Sequence, residues 1–163
     1  MTNEEKAQPN VPKIEERQNR FRCYVAAALL LIQEGQVLLM KRANTGFGDG
    51  LYGLPGGSLD GNEPIKSALV REAKEELGII IEPDALELAS CLHVAPHFRT
   101  PNEVFLFGFT AKKFTGSLQN KEPDKCDEIR FFPLTELPET ILEGSKKLIE
   151  NMQSHTNFSE LHW

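Results

Sequence analysis

The chain has 163 residues, 40% of them apolar and 26% charged, an ordinary balance for one folded domain with a sizeable core. Its net charge of −6, with no basic run, argues against a nucleic-acid polymer as the main partner, since a phosphate backbone needs a field of the opposite sign. Three scattered cysteines, Cys23, Cys91 and Cys126, signal neither a zinc knuckle nor a disulfide framework, and the longest apolar run, Tyr24 to Ile32, is too short to span a bilayer. The expectation is a cytoplasmic protein with no membrane association.

Residues 1–20 are rich in Glu, Lys and Pro and nearly devoid of apolar side chains, so they read as a polar tail that cannot offset its own ordering entropy. The domain is expected over 21–153. RCYVAAALLLIQ is nearly continuously apolar, breaks at Glu34-Gly35 and resumes as QVLLMKR, which predicts two buried strands joined by a tight turn. Arg42 ends the second strand, with Lys41 on its opposite face. The next stretch, ANTGFGDGLYGLPGG, is a glycine-rich loop able to present main-chain groups to a ligand; a flexible connector would have the same composition.

Residues 57–79 read GSLDGNEPIKSALVREAKEELGI, and the second half predicts a helix. At about 100° per residue, Glu72, Glu75 and Glu76 fall in one arc with Ile65 and Ala68. Three carboxylates on an apolar face must be protonated, paired or bound to a cation, and Arg71 alone cannot pair with all three. Hard oxygen donors from one helix face suit Mg²⁺ or Mn²⁺. A plainly solvated acidic helix is the competing reading.

Strands are predicted over 86–94 and 104–112, the second with Phe105, Phe107 and Phe109 on one face. His93, His97, Phe98 and Arg99 lie on the strand end and loop between them; the two histidines lack a third partner for zinc and read as solvent-facing or as a substrate rim. A turn at Gly116 leads to a strand at EIRFFPL, and beyond Pro138 the positions Ile141, Leu142, Leu148, Ile149 and Met152 predict an amphipathic helix. Residues 154–163 show no periodicity, leaving two readings: a frayed C-terminal tail, or a segment docking on the partner of a homodimer.

The stretch from Gly57 to Ile79 resembles the Nudix box, G-x5-E-x7-R-E-U-x-E-E-x-G-U with U a bulky apolar residue, matching at Gly57, Glu63, Arg71, Glu72, Glu75, Glu76 and Gly78. The small Ala73 stands where a larger residue is common, and Tyr52 stands where the family's preceding segment often has tryptophan. The resemblance implies an α/β fold, the Nudix α/β/α sandwich with a mixed sheet, and a hydrolase that cleaves a phosphoanhydride with Mg²⁺ or Mn²⁺. It implies metal ligation by the Gly57 carbonyl, Glu75 and Glu76, with Glu72 as ligand or general base, and a structural salt bridge between Glu63 and Arg71. Glu122 resembles a further ligand outside the box in MutT-like enzymes; a plain acidic turn is the alternative.

The compact chain most resembles MutT-related enzymes that split a nucleoside triphosphate into a monophosphate and pyrophosphate. Arg42 is then a candidate to contact a phosphate, and Phe47, Tyr52 and Phe98 are candidates to stack on a base. The alternatives are hydrolysis of ADP-ribose, nucleotide sugars or dinucleoside polyphosphates, or a non-catalytic nucleotide-sensing module. Against a sensor, no box acid is missing.

Overall fold

The computed structural model describes residues 21–96 and 101–163. The expected tail over 1–20, and His97, Phe98 and Arg99, lie outside them.

The apolar run near the start forms β1 (Tyr24–Leu30) and β2 (Ile32–Gln33), which turns at Glu34-Gly35 into β3 (Gln36–Arg42). The glycine-rich segment holds two short strands, β4 (Tyr52–Gly53) and β5 (Gly56–Ser58), where the sequence predicted only loop. Runs of two and three residues are too short to show a period. After them come α1 (Ile65–Leu77), β6 (Leu86–Val94), β7 (Val104–Ala111), β8 (Cys126–Pro133), α2 (Glu143–Gln153) and β9 (Phe158–Leu161).

A five-stranded mixed sheet runs β5-β1-β7-β6-β9. In it β1 is antiparallel to β5 and parallel to β7, while β6 is antiparallel to β7 and parallel to β9. A smaller antiparallel sheet pairs β3 with β2, β4 and β8. The unbroken hydrophobicity of β1 follows from burial on both faces. Ala27, Leu29 and Leu31 pack with Leu69, Ala73 and Leu77 of α1, whereas Ala28 and Leu30 face the other way, towards Leu148 and Ile149 of α2. The result is the α/β/α sandwich expected.

α1 begins after Pro64, whose φ of −64° suits a helix entry, and stops at Gly78, which takes the left-handed conformation (φ 69°) and donates its N–H to the Lys74 carbonyl. Ala73 is 1% exposed, so the small residue at this position lets the helix lie close on the sheet. A larger side chain there would overpack. Burying Leu69 and Leu77 contributes about 1.5–3 kcal/mol each.

One expectation is corrected here. Residues 158–161, read as part of a tail, are the edge strand β9, with Leu161 paired to Val94. Four residues alternating exposed and half-buried carry too little pattern to be seen without the neighbouring strand.

Candidate active site

A cleft of about 1050 Å³ opens over the α2-side face of the larger sheet. Ala28, Val104, Leu106, Val94 and Leu161 lie on its apolar floor. At the β5 edge the acids of α1 come up from the other face: Glu72 and Glu76 line the cleft, with Gly56 and Gly57 between them and β1. Four strand spacings, about 19 Å, separate this edge from β9.

The close approach at Gly57 depends on its lacking a side chain. A Cβ there would lie 2.6 Å from Glu72 Oε1, so only glycine lets that carboxylate sit against β5. Glu76 Oε2 accepts the Gly56 N–H at 2.7 Å. Burial, reinforced by the charges of Glu72 and Glu122, pushes the Glu76 carboxyl up to about 8 despite that hydrogen bond. Glu72 is also raised, first by burial, against the lowering effect of Arg71.

Arg71 gathers four acids. Its guanidinium reaches Glu72 at 2.8 Å, Glu63 at 3.1 Å, and Asp60 and Glu75 at 3.4 Å. The expected Glu63 to Arg71 ion pair is present, and Glu63 also accepts the Asp60 N–H at 3.0 Å. Arg71 Nε is buried with no hydrogen-bond partner among the described residues. The sequence placed Glu75 on the apolar face, and this is corrected: its side chain is 51% exposed and outside the cleft lining. The buried arc runs from Ala68 through Leu69 and Ala73 to Leu77, so Glu72 and Glu76 fall within it while Glu75 falls just past its Ala68 edge.

Glu122 reaches the same cleft from the turn before β8, where it accepts Lys125 Nζ at 2.7 Å. The sequence singled it out only by its resemblance to MutT-like enzymes, with a plain acidic turn as the alternative. Arg42 and Phe47 also line the cleft. A bulge in the β3–β8 pairing between Lys41 and Arg42 turns Arg42 inward, while Lys41 faces Asp127 at 4.0 Å. Arg42 donates Nε to the Phe47 carbonyl at 2.8 Å and Nη2 to Thr45 Oγ1 at 3.1 Å, which spends two of the five guanidinium N–H groups.

Tyr52 does not line the cleft, which corrects its candidacy for base stacking. Its ring packs edge-on against Phe132, and its hydroxyl donates to Glu128 at 2.7 Å. Neighbouring residues of a strand point to opposite faces, so Leu51 and Gly53 reach the cleft and Tyr52 the core. Phe98 lies outside the described residues. His93, expected at a rim, is half-buried, 2.9 Å from Glu103 and stacked on Phe105 with 4.2 Å between centroids. Sequence reasoning missed the far wall of the cleft, where Glu143 and His162 meet at 2.9 Å. An isolated histidine near the end of the sequence carried no periodic signal.

The donor set fits a hard divalent cation. Glu72, Glu76 and Glu122 supply carboxylates, and Glu76 is partly buried and raised as an acid is when its charge is desolvated. Among the described residues no three such side chains converge at ligand separation, and Glu75 is turned to Arg71.

The NUDIX domain profile matches residues 22–152, and the chain belongs to the Nudix hydrolase family. Among its relatives, the ADP-ribose pyrophosphatase of Methanocaldococcus jannaschii is 30% identical over 138 residues, 82% of this chain and 78% of that protein. The human 8-oxo-dGDP phosphatase is 32% identical over 118 residues, covering 71% of this chain but 34% of that protein. Among solved structures, a MutT NUDIX hydrolase from Burkholderia pseudomallei superposes with a TM-score of 0.72 at 28% identity, over 79% of this chain and 97% of that one. The chain is therefore an enzyme acting on phosphoanhydride bonds of small nucleotide substrates, a class that uses divalent metal. No helix among the described residues is long and apolar enough to cross a membrane.

Proposed function

We propose that this enzyme hydrolyses the diphosphate linkage of a nucleotide with Mg²⁺ or Mn²⁺, and that its substrate carries a nucleoside on one side of that linkage. The observation that carries the reading is the partly buried Glu76, raised to about 8, beside Glu72 and Glu122 at one end of a cleft. Glu76, Glu122 and the Gly57 carbonyl would hold the metal, and Glu75 would join by releasing Arg71, as its half-exposed position permits. The bound cation supplies charge neutralisation on the phosphate oxygens and lowers the pKa of the attacking water.

The protein's own groups do the rest. Glu72, desolvated and raised, is the general base that accepts the water's proton. Arg71 holds its carboxylate at 2.8 Å, and Glu63 in turn anchors Arg71. Arg42 keeps N–H groups for a phosphate oxygen, and the Phe47 ring, 5.5 Å from the guanidinium, covers that side of the cleft.

A nucleoside triphosphate is the first substrate proposed, split to a monophosphate and pyrophosphate. ADP-ribose is the second, favoured by the ADP-ribose pyrophosphatase relative, which spans most of this chain. The test is chromatographic product analysis with Mg²⁺ on both compounds, on nucleotide sugars and on dinucleoside polyphosphates. Nucleoside monophosphate plus pyrophosphate supports the first proposal, and AMP plus ribose 5-phosphate the second. No turnover of any of them overturns the proposal.

A further inference from the structure

We propose that Lys125 is the resident counter-cation of the proposed metal site: without metal its ammonium holds Glu122, and it gives that carboxylate up to a divalent ion and passes to a phosphate oxygen of the substrate. This rests on the metal reading of the same acids. The turn that carries both residues is fixed at its backbone. The Lys121 N–H donates to the Glu76 carbonyl at 2.9 Å, which ties the turn to the end of α1. Asn120 closes it, accepting the Glu122 N–H at 3.1 Å and donating to the Cys126 carbonyl at 2.6 Å. From the β3 side the Ala43 N–H bonds the Lys125 carbonyl at 2.8 Å, and Asn44 Nδ2 bonds the Asp124 carbonyl at 3.0 Å. With the main chain held from both sides, the side-chain ends are what is left to move. Lys125 Nζ meets Glu122 Oε1 at 2.7 Å, and the lysine side chain is 62% exposed, so its four-carbon stem can swing without breaking a backbone bond.

A solvated ion pair within one turn is the competing reading, and the setting speaks against it. Both residues line the cleft. Glu122 first, and Glu72 and Glu76 at longer range, raise the Lys125 ammonium above its ordinary value, so it stands in the field of all three acids. An ammonium on Glu122 and a divalent ion on the same carboxylate repel each other at close range. The lysine therefore leaves when the metal enters. Arg42 marks where it goes. In the β3–β8 ladder Arg42 pairs with Cys126, the residue after Lys125, and both cations line the cleft at its acidic end. Arg42 is anchored to the Phe47 carbonyl and Thr45, whereas Lys125 has the reach to follow an anionic oxygen with its three donors.

The exchange gives two measurements opposite signs. Competing with the metal, Lys125 weakens metal binding in the absence of substrate; holding a phosphate, it strengthens substrate binding in the presence of metal. Mn²⁺ binding to chelator-treated protein without substrate is measured by isothermal titration calorimetry for wild type, Lys125→Met and Lys125→Arg, with thermal melts to show that each folds. KM and kcat follow at saturating Mn²⁺ on the nucleotide that product analysis selects. Lys125→Met, neutral and of similar length, should bind Mn²⁺ about three- to fivefold more tightly than wild type, the most that an exposed ion pair contributes. Its KM should rise about tenfold, the loss of one charge-assisted hydrogen bond, with kcat within about twofold. Lys125→Arg, which keeps the charge, should stay within about twofold of wild type in both.

An Mn²⁺ affinity that is equal or weaker in Lys125→Met overturns the inference and leaves the metal reading standing. A tighter affinity with KM unchanged overturns the phosphate half and supports the exchange. Failure of both wild type and Lys125→Met to bind Mn²⁺ overturns this inference together with the metal reading. Where no substrate is turned over, the calorimetry decides the exchange.

Discussion

Replacing Glu76 by Gln removes the charge that burial disfavours while keeping the shape that accepts the Gly56 N–H at 2.7 Å. In wild type without metal, the Glu76 carboxyl holds its proton up to about 8, against 4.5 for the ordinary group. The folded state therefore binds the proton more tightly than the unfolded chain does. Its contribution to stability is full below about 4.5 and is lost progressively as pH rises to about 8. At about 1.4 kcal/mol per pH unit, the loss approaches about 3 kcal/mol at pH 7 and about 5 kcal/mol above pH 8, as ceilings that weaken if the site hydrates. Glu76→Gln does not titrate, so its metal-free stability should exceed that of wild type by a margin that widens with pH. For a domain of this size 1 kcal/mol moves Tm by about 2–4 °C, so the gap is about 6–12 °C near pH 7. Thermal melts in chelator at pH 5, 6, 7 and 8 measure it. Adding Mg²⁺ should raise the Tm of wild type and leave Glu76→Gln almost unmoved. A metal-free variant that melts below wild type at every pH would show that Glu76 is paired within the protein, and its assignment as a metal ligand would be withdrawn.

Gly57→Ala should lower kcat at least about tenfold with little change in Tm, because its Cβ would meet Glu72 Oε1 at 2.6 Å and displace the base; steady-state kinetics beside a melt separates the two effects. Arg71→Ala should cost about 1–3 kcal/mol and most of the activity, since Glu63 and Glu72 lose the cation within about hydrogen-bonding reach; urea denaturation checks the first and a rate assay the second. Tyr52→Phe should cost about 1 kcal/mol through the lost bond to Glu128 and leave KM unchanged, whereas Phe47→Ala should raise KM without changing Tm; the reversed pattern would return Tyr52 to the cleft.

What was legible in the sequence depended on length of pattern. β1 and β3 showed as long apolar runs because both of their faces are buried, and α1 showed because its acids break an otherwise apolar arc. The two-residue β4, three-residue β5 and four-residue β9 were not legible, since their pairing energy comes from neighbours distant in sequence. Within the site, Glu72 and Glu76 followed from helical periodicity, which was too coarse to separate them from Glu75, about 20° past the buried arc. Tyr52 was misjudged because a two-residue strand hides which neighbour faces the core. The Glu143 and His162 pair joins a helix start to a strand end by tertiary packing alone, and no spacing announces it.

The most direct measurement is the rate of diphosphate cleavage by wild type as Mg²⁺ is titrated from zero in chelator, on whichever nucleotide the product analysis selects. Cleavage should be absent without the cation, rise to saturation with it, stop on adding excess chelator, and stay near background throughout for Glu76→Gln. Turnover that persists in chelator, or that Glu76→Gln carries out at the wild-type rate, would contradict a metal centre built on the acids of α1.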